Sequence, residues 1–487
     1  MLEINNQYNL VKRRVQIEVI KEFIQGNLID DVDKIPYKLI PKESDPSRCC
    51  IYKERAMIRY RIMALLGVNI EKDDDEMKPL AAYVKEALAH DAPVQPVLTT
   101  ITTGCSSCPR DQFIVSDLCR GCFARPCMAN CPVDAIDFRQ GKAHIDQDRC
   151  IRCGKCIEVC PFHSVIHIPV PCEGACPVDA IKKNERGFVE IDYTRCISCG
   201  KCAISCPFGA IVERSGLFPV LKLLRSKKNI VALIHPSIDG QFPGTLGQIK
   251  TALLHVGFDE VREVSEGAGE TAEHMAGEVV QRLHQGSPFT TTNNCSAYME
   301  LIERHNPQLE KSRSLVATPM SVLAQKIKSE NSQSQTVFIG PCLAKRIEAE
   351  KLGTVDGVLT FSELAAMFIA KKIDVREMEE TDLGDVTSYE DCREFALSGG
   401  QLHCVEKRIA SGESIKTMTI NGLDKKTVKS LDNWERKAPV SQLIEVMSCE
   451  GGCINGPGCV VKPSLALKLR NGKATTPVQS AKKSTKL

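Results

Sequence analysis

Apolar residues recur three and four apart through VQIEVIKEFI (15–24) and AMIRYRIMALLGV (56–68), and this spacing predicts helices. A turn-rich stretch, DDVDKIPYKLIPKESDPS (30–47), interrupts them. From about residue 216 the rhythm changes. Short β-branched runs, NIVALI (229–234), EVREVS (260–265), TVFIG (336–340), DGVLT (356–360) and LIEVM (443–447), alternate with helical patterns in GTLGQIKTALLHVGF (244–258), ETAEHMAGEVVQRLHQG (270–286) and SELAAMFIAKKI (362–373). Strands alternating with helices predict a mainly parallel α/β sheet, whose sites lie beyond the carboxyl ends of its strands.

Between these regions the pattern is set by cysteine. The expected organisation is a helical region at 1–95, a cysteine-rich region at 96–215, an α/β domain at 216–470 and a disordered polar, basic tail at 471–487. Together they make a multidomain α+β chain. With 487 residues, more than one core is required. A net charge of +2 gives no electrostatic case for nucleic acid or an anionic membrane. No apolar run reaches the ~20 residues a membrane span needs, and the N-terminus lacks a signal-peptide core. The expected compartment is the cytoplasm.

The chain carries 25 cysteines, sixteen of them in the central region. In a large chain without a signal, metal binding outweighs disulfides, because the cytosol keeps thiols reduced. The region holds an internal repeat: GKAHIDQDRCIRCGKCIEVCPF (141–162) returns as GFVEIDYTRCISCGKCAISCPF (187–208), and each copy follows a CPVDAI segment, at Cys131 and Cys176. C-x2-C-x2-C with a distant C-P is ferredoxin spacing for 4Fe–4S clusters, and zinc ribbons do not use it. The last cysteine of a run serves the other cluster of its unit. Cys119, Cys122 and Cys127 therefore take Cys160, while Cys150, Cys153 and Cys156 take Cys131. Cys196, Cys199 and Cys202 take Cys176. Cys172 and Cys206 need two more ligands. The repeat aligns Ser164 and His167 with Cys119 and Cys122, and neither is a usual ligand. Cys105 and Cys108 are the unclaimed C-x2-C nearby. Either they complete a fourth cluster, or there are three clusters and the remaining cysteines are inert. Cys49 and Cys50 read as a packed pair at a helix start.

In the second half, Cys295, Cys342 and Cys449 each follow a strand-like run, with Cys453 close behind. Three separate segments can thus deliver thiolates to one sheet rim. PC-x2-K at Pro341–Lys345, EVMSC-x3-C-x-NG at Glu445–Gly456 and TTNNCSAY at 291–298, in that order behind a ferredoxin array, resemble the FeFe hydrogenases. RCCIYKERAMIRYR (48–61) resembles the group B branch.

The resemblance implies an H-cluster: a 4Fe–4S cube on Cys295, Cys342, Cys449 and Cys453, with Cys453 bridging to a diiron subcluster that carries CO, cyanide and a dithiolate. It implies that Lys345 donates to one cyanide, that Pro236 and Ser237 approach the other, and that Met447 packs beside the diiron centre. It further implies hydrogen and protons as reactants, a ferredoxin or similar electron carrier, and maturation proteins as partners. Cys392, Cys404 and Cys459 match no ligand position and read as structural.

The departures concern protons. The family's relay thiol and its following glutamate correspond here to Asn294 and Met275, while Glu278 and Ser314, further along the route, are retained. Gly340 stands where a methionine is common. An amide cannot exchange a proton near neutral pH as a thiol can. His274 beside the gap reads as an exposed helix residue. The expectation is a slow hydrogenase, with a hydrogen or redox sensor, or an iron–sulfur assembly factor keeping only the cube, as alternatives.

Overall fold

A computed structural model describes residues 7–91, 94–105, 108–226, 228–382, 387–409 and 414–470. The expected tail at 471–487 lies outside these residues. The fold is multidomain α+β: N-terminal helices, a ferredoxin-like 4Fe–4S region and a C-terminal α/β part with parallel sheets. Among the described residues, no helix is long and apolar enough to cross a membrane.

The periodic N-terminal segments form helices at Gln7–Gln25, Ile51–Leu65 and Leu80–Ala89. The stretch expected to be turn-rich holds short helical pieces at Leu28–Asp31, Val32–Lys34 and Ile35–Leu39, the last begun by Pro36 near its first turn. These helices do not form a separate core. Val19, Ile20, Ile62 and Met63 belong to the same buried cluster as Phe218, Leu221 and Ala365 of the C-terminal part. Phe23 meets Phe218 edge-on at 5.5 Å.

In the central region each cysteine unit is framed by two antiparallel strand pairs. Gln112–Val115 pairs with Val165–Ile168, and Ile136–Arg139 with Lys142–Ile145. In the second unit Ile181–Lys183 pairs with Val189–Ile191. The outer strand Ile211–Glu213 pairs with Leu98–Thr100, which lies before the whole first unit. The second unit is therefore split, and the first is inserted into it.

Among its described residues the C-terminal part contains seven strands: β1 (Ile230–Ile234), β2 (Glu260–Glu263), β3 (Thr290–Thr291), β4 (Gln335–Gly340), β5 (Gly357–Thr360), β6 (Thr417–Asn421) and β7 (Leu443–Met447). They form two sheets, in the orders β2-β1-β4-β5 and β3-β7-β6, with every neighbour parallel. β1 and β7 are buried at every residue, as strands covered on both faces must be.

Candidate active site

The ferredoxin-like loops repeat one local geometry four times. After Cys131, Cys160, Cys176 and Cys206 comes proline, and the third residue on is left-handed: Asp134 (φ 48°), His163 (48°), Asp179 (52°) and Gly209 (57°). That turn brings the next N–H back to the cysteine sulfur. Ala135, Ser164, Ala180 and Ala210 donate to their respective sulfurs at 3.2, 3.4, 3.2 and 3.4 Å. Such donors favour a thiolate and tune a cluster's potential.

The thiols gather in sets. Cys127 lies within electrostatic reach of Cys122 and Cys160. Cys131, Cys150, Cys153 and Cys156 line one small pocket. Cys202 neighbours Cys199, Cys196 and Cys176. Cys172, pushed up to about 12 by burial, neighbours Cys206, Cys105 and Cys108. The split unit explains the last set. Leu98–Thr100 occupies in the second unit the place of Gln112–Val115 in the first, so Cys105 and Cys108 are the counterparts of Cys119 and Cys122. Aligning Ser164 and His167 with that pair misses this. Ser164 instead meets Cys160 Sγ at 3.1 Å, and His167 pairs with Asp111 at 2.6 Å. Cys49 is exposed and lies 3.8 Å from the half-buried Cys50 ahead of the helix at Ile51, so the pair is at a helix start but not packed.

In the α/β part, the carboxyl ends of both sheets face one cavity. It is lined by Cys295, which follows β3, by Cys342 after β4, by Met447 at the end of β7 and by Cys449 and Cys453 just beyond. Lys345, Asn294 and Ser296 complete much of the wall. Burial pushes the Cys449 and Cys453 thiols far up, and their neighbouring sulfurs add to it. Cys342 is pushed to about 11 by burial and by Cys295. No carboxylate among the described residues lines this cavity. Four sulfurs with one ammonium, Lys345, beside them are a donor set that fits an iron–sulfur cube. Lys345 is 6% exposed, and its Nζ donates to Glu348 at 2.7 Å.

The cavity wall also holds Cys199 of the ferredoxin-like region, and Cys449 feels its charge. Close packing there depends on Gly200. A Cβ on it would lie 2.9 Å from both Leu343 Cδ1 and Pro457 Cβ.

Three placements differ from the sequence reading or add to it. Pro236 and Ser237 are buried but do not line the cavity. His235 lines it instead, with Nδ1 2.8 Å from Ser237 Oγ; burial, then Lys345, lowers it to about 3 and keeps it neutral. Gly340 is explained by Phe338, another lining residue: a Cβ on Gly340 would lie 2.5 Å from that ring. Sequence reasoning missed His235 although it adjoins the quoted Pro-Ser pair, and missed Ser296 and Glu348 although they flank Cys295 and follow Lys345 by one helical turn.

The proton-route candidates separate into two groups. Glu278 accepts from Ser314 Oγ at 2.5 Å and from Leu315 N–H, and pairs with Arg282 at 2.8 Å. Met275 is fully buried in an apolar cluster with Val279 and Phe395, and its sulfur meets Gln401 Nε2 at 3.6 Å. His274 is exposed. Cys392 and Cys404, in the same cluster as Met275, form a disulfide. Cys459 Sγ braces the Ile454 carbonyl at 3.2 Å.

Residues 228–457 match the iron-only hydrogenase large subunit, C-terminal domain. Residues 112–161 match the 4Fe–4S dicluster domain, and 188–211 a 4Fe–4S binding domain. Over residues 228–457 the chain is similar to the iron hydrogenases, which are enzymes. It is 26% identical over 396 residues to Iron hydrogenase 1 of Clostridium pasteurianum, covering 69% of this chain and 68% of that one. It is 25% identical to the NADP-reducing hydrogenase subunit HndD of Solidesulfovibrio fructosivorans, covering 51% of this chain and about half (53%) of that relative's length. A solved FeFe-hydrogenase of Chlamydomonas reinhardtii superposes with a TM-score of 0.41 at 18% identity, covering 53% of this chain and 87% of that one. The stretch matched to the hydrogenase domain contains all four cysteines of the cavity, and the two ferredoxin matches contain most of the array.

Proposed function

We propose that the protein is a hydrogenase of the group B type, interconverting two protons and two electrons with hydrogen. The observation that carries this is the meeting of Cys295, Cys342, Cys449, Cys453 and Lys345 in one buried cavity whose wall includes Cys199. When bound, the 4Fe–4S clusters carry electrons and the diiron centre forms or splits hydrogen heterolytically. The four cavity cysteines would hold the cube, and Cys453 would also serve the diiron centre. Lys345 would present its ammonium to a cyanide, and Glu348 fixes where that ammonium points. Met447, Phe338 and Pro457 keep the cavity wall apolar, which strengthens every polar contact inside it. His235, uncharged, takes the place at the wall that the sequence reading gave to Pro236 and Ser237.

We divide the chain at about residues 95 and 215, with four ferredoxin-type clusters between, ligated by the four thiol sets above. A ferredoxin or a similar carrier is the electron partner, and maturation proteins install the diiron centre. The assembly-factor reading lacks a use for a buried ammonium beside the sulfurs. With an amide at Asn294 and an apolar side chain at Met275, proton delivery rather than electron supply limits turnover.

Infrared spectra of the matured protein test the reading. CO and cyanide bands are expected in the unmodified chain and are expected to vanish in Cys453→Ser, while the ferredoxin-type paramagnetic signals stay. A matured chain without those bands is not a hydrogenase.

A further inference from the structure

Beside the site lies a second cavity of ≈ 640 Å³, lined by Ser296, Glu348, Thr318, Glu300, Glu303 and Lys351, among others. Ser296 lines this cavity and the thiol cavity as well. It is 3% exposed, and its Oγ donates to Glu348 Oε2 at 2.5 Å. The other oxygen of Glu348 accepts from Thr318 Oγ1 at 2.6 Å. Glu348 is thus a carboxylate with a 10% exposed side chain, one oxygen turned to the large cavity's threonine and the other shared by Ser296 and Lys345. On the cavity wall the acids Glu300 and Glu303 are held by Lys351, and Glu310 by Arg313. A space of this size, with charged and hydroxyl side chains set into a largely apolar wall, admits many waters, since one water needs only about 10–15 Å³ measured this way.

We infer that Glu348 and Ser296 form the working proton route between solvent in the large cavity and the thiol cavity, replacing the route lost at Asn294 and Met275. This rests on the hydrogenase reading. Inward, a hydronium in the large cavity gives one proton to Glu348 as that hydronium O–H bond breaks, leaving water and the neutral acid. Ser296 turns its hydroxyl hydrogen into the thiol cavity. The acid proton then moves from Glu348 Oε2 to Ser296 Oγ while the serine's own hydrogen leaves Oγ and bonds to the lone pair of a water or other base facing it in the thiol cavity. One proton has crossed and no electron has moved. Glu348 is again a carboxylate that accepts from Ser296, the arrangement the structure holds. A hydroxyl relays without ever being charged, which suits a residue this buried. Glu348 acts through Ser296 and so is a positioning and relay residue; Ser296 is the group that reaches the site.

The test uses the full matured chain as wild type, Glu348→Gln and Ser296→Ala. Glu348→Gln keeps a polar side chain of the same length beside Lys345, and Ser296→Ala leaves the Lys345–Glu348 pair untouched. With cofactor occupancy matched by the CO and cyanide bands, both variants are expected to lose hydrogen evolution by roughly 10²-fold, the size of a general acid–base relay. Their ferredoxin-type signals are expected to reduce as in wild type, because electron wiring is intact. Redox-difference infrared spectra of the wild type should show a carboxylic-acid band that shifts in deuterium oxide and is missing in Glu348→Gln. A rate loss in Glu348→Gln alone, with shifted cyanide bands, would reduce Glu348 to an anchor for Lys345 and overturn the relay. Wild-type rates in both variants at full occupancy would overturn the relay and leave the hydrogenase reading standing. Absence of the bands in wild type would overturn both.

Discussion

Single residues in this chain are governed by what burial does to their charge. Glu445, at the centre of β7, is 1% exposed and accepts N–H groups from Gly399 and Gln401, yet burial still raises it from near 4.5 to about 7. The folded state therefore holds this proton more tightly than the unfolded state. Stability from this group is complete below pH 4.5, falls as pH rises between 4.5 and 7, and is level above. The span corresponds to at most about 3.4 kcal/mol at 1.36 kcal/mol for each pH unit. Glu445→Gln should flatten that slope, measured as urea midpoints against pH by fluorescence of Trp434, the single tryptophan, which is buried against Phe289. An unchanged slope would mean that the group is already charged in the folded protein. Glu363 shows the opposite outcome. It is fully buried but paired with Arg346 at 2.9 Å and bonded to Thr360, and it stays below its ordinary range. The difference is a buried cation.

At the scale of elements, the recurring device is the cysteine-proline turn with a left-handed third residue, which aims an N–H at sulfur. In three copies the left-handed residue is Asp or His. In the fourth it is Gly209, where a Cβ would come within 2.3 Å of the Tyr8 ring and 2.7 Å of Arg61. A side chain is excluded there because the N-terminal helices lie against that turn. The same contact brings the charges of Arg61 and Lys12 near the Cys206 set, alongside Glu213. The split second unit makes a direct prediction about the Cys105, Cys108, Cys172 and Cys206 set. Cys172→Ser should lower bound iron by about four per chain, one 4Fe–4S cluster's worth, and remove one signal from the reduced paramagnetic spectrum. Unchanged iron content would leave three clusters in the array.

Across the whole molecule, the thiol sets of the split unit lead on to the cavity between two parallel sheets. The joint is tight. Cys202 feels Cys172 on one side, and Cys449 feels Cys199 on the other. Gly200, at φ 75°, allows the second unit's loop to sit on Leu343 and Pro457. Gly200→Ala should cost roughly 1–2 kcal/mol from its left-handed backbone alone. It should also lift the loop from the site wall far enough to make electron entry the slow step in place of proton delivery, slowing viologen-driven hydrogen evolution while iron content and infrared bands hold. Full activity in this variant would show that the loop contact is not needed for electron entry. The N-terminal helices contribute to the same assembly by sharing one buried cluster with the α/β part.

Local spacing was enough for much of this. The 3.6-residue period placed the long helices, the β-branched runs placed β1, β2, β4, β5 and β7, and cysteine spacing nominated three ferredoxin-type sets, two of them from C-x2-C-x2-C runs, because each of these is a property of neighbours along the chain. The four cavity cysteines could be nominated because each follows a strand in a parallel sheet, where strand ends gather at one rim. What spacing could not convey is any pairing across an insertion. Leu98–Thr100 finds Ile211–Glu213 more than a hundred positions away, and with that pairing Cys105 and Cys108 become counterparts of Cys119 and Cys122. Nor could it give the wall of the cavity. His235 rather than Pro236 faces inward, Phe338 fills the space above Gly340, and Ser296 touches two cavities at once, because which side of a turn meets a site is set by packing between elements. The Glu348–Ser296–Thr318 chain belongs to this second class: its three members come from separate helices and a cap, and only the folded chain places their oxygens within hydrogen-bond reach.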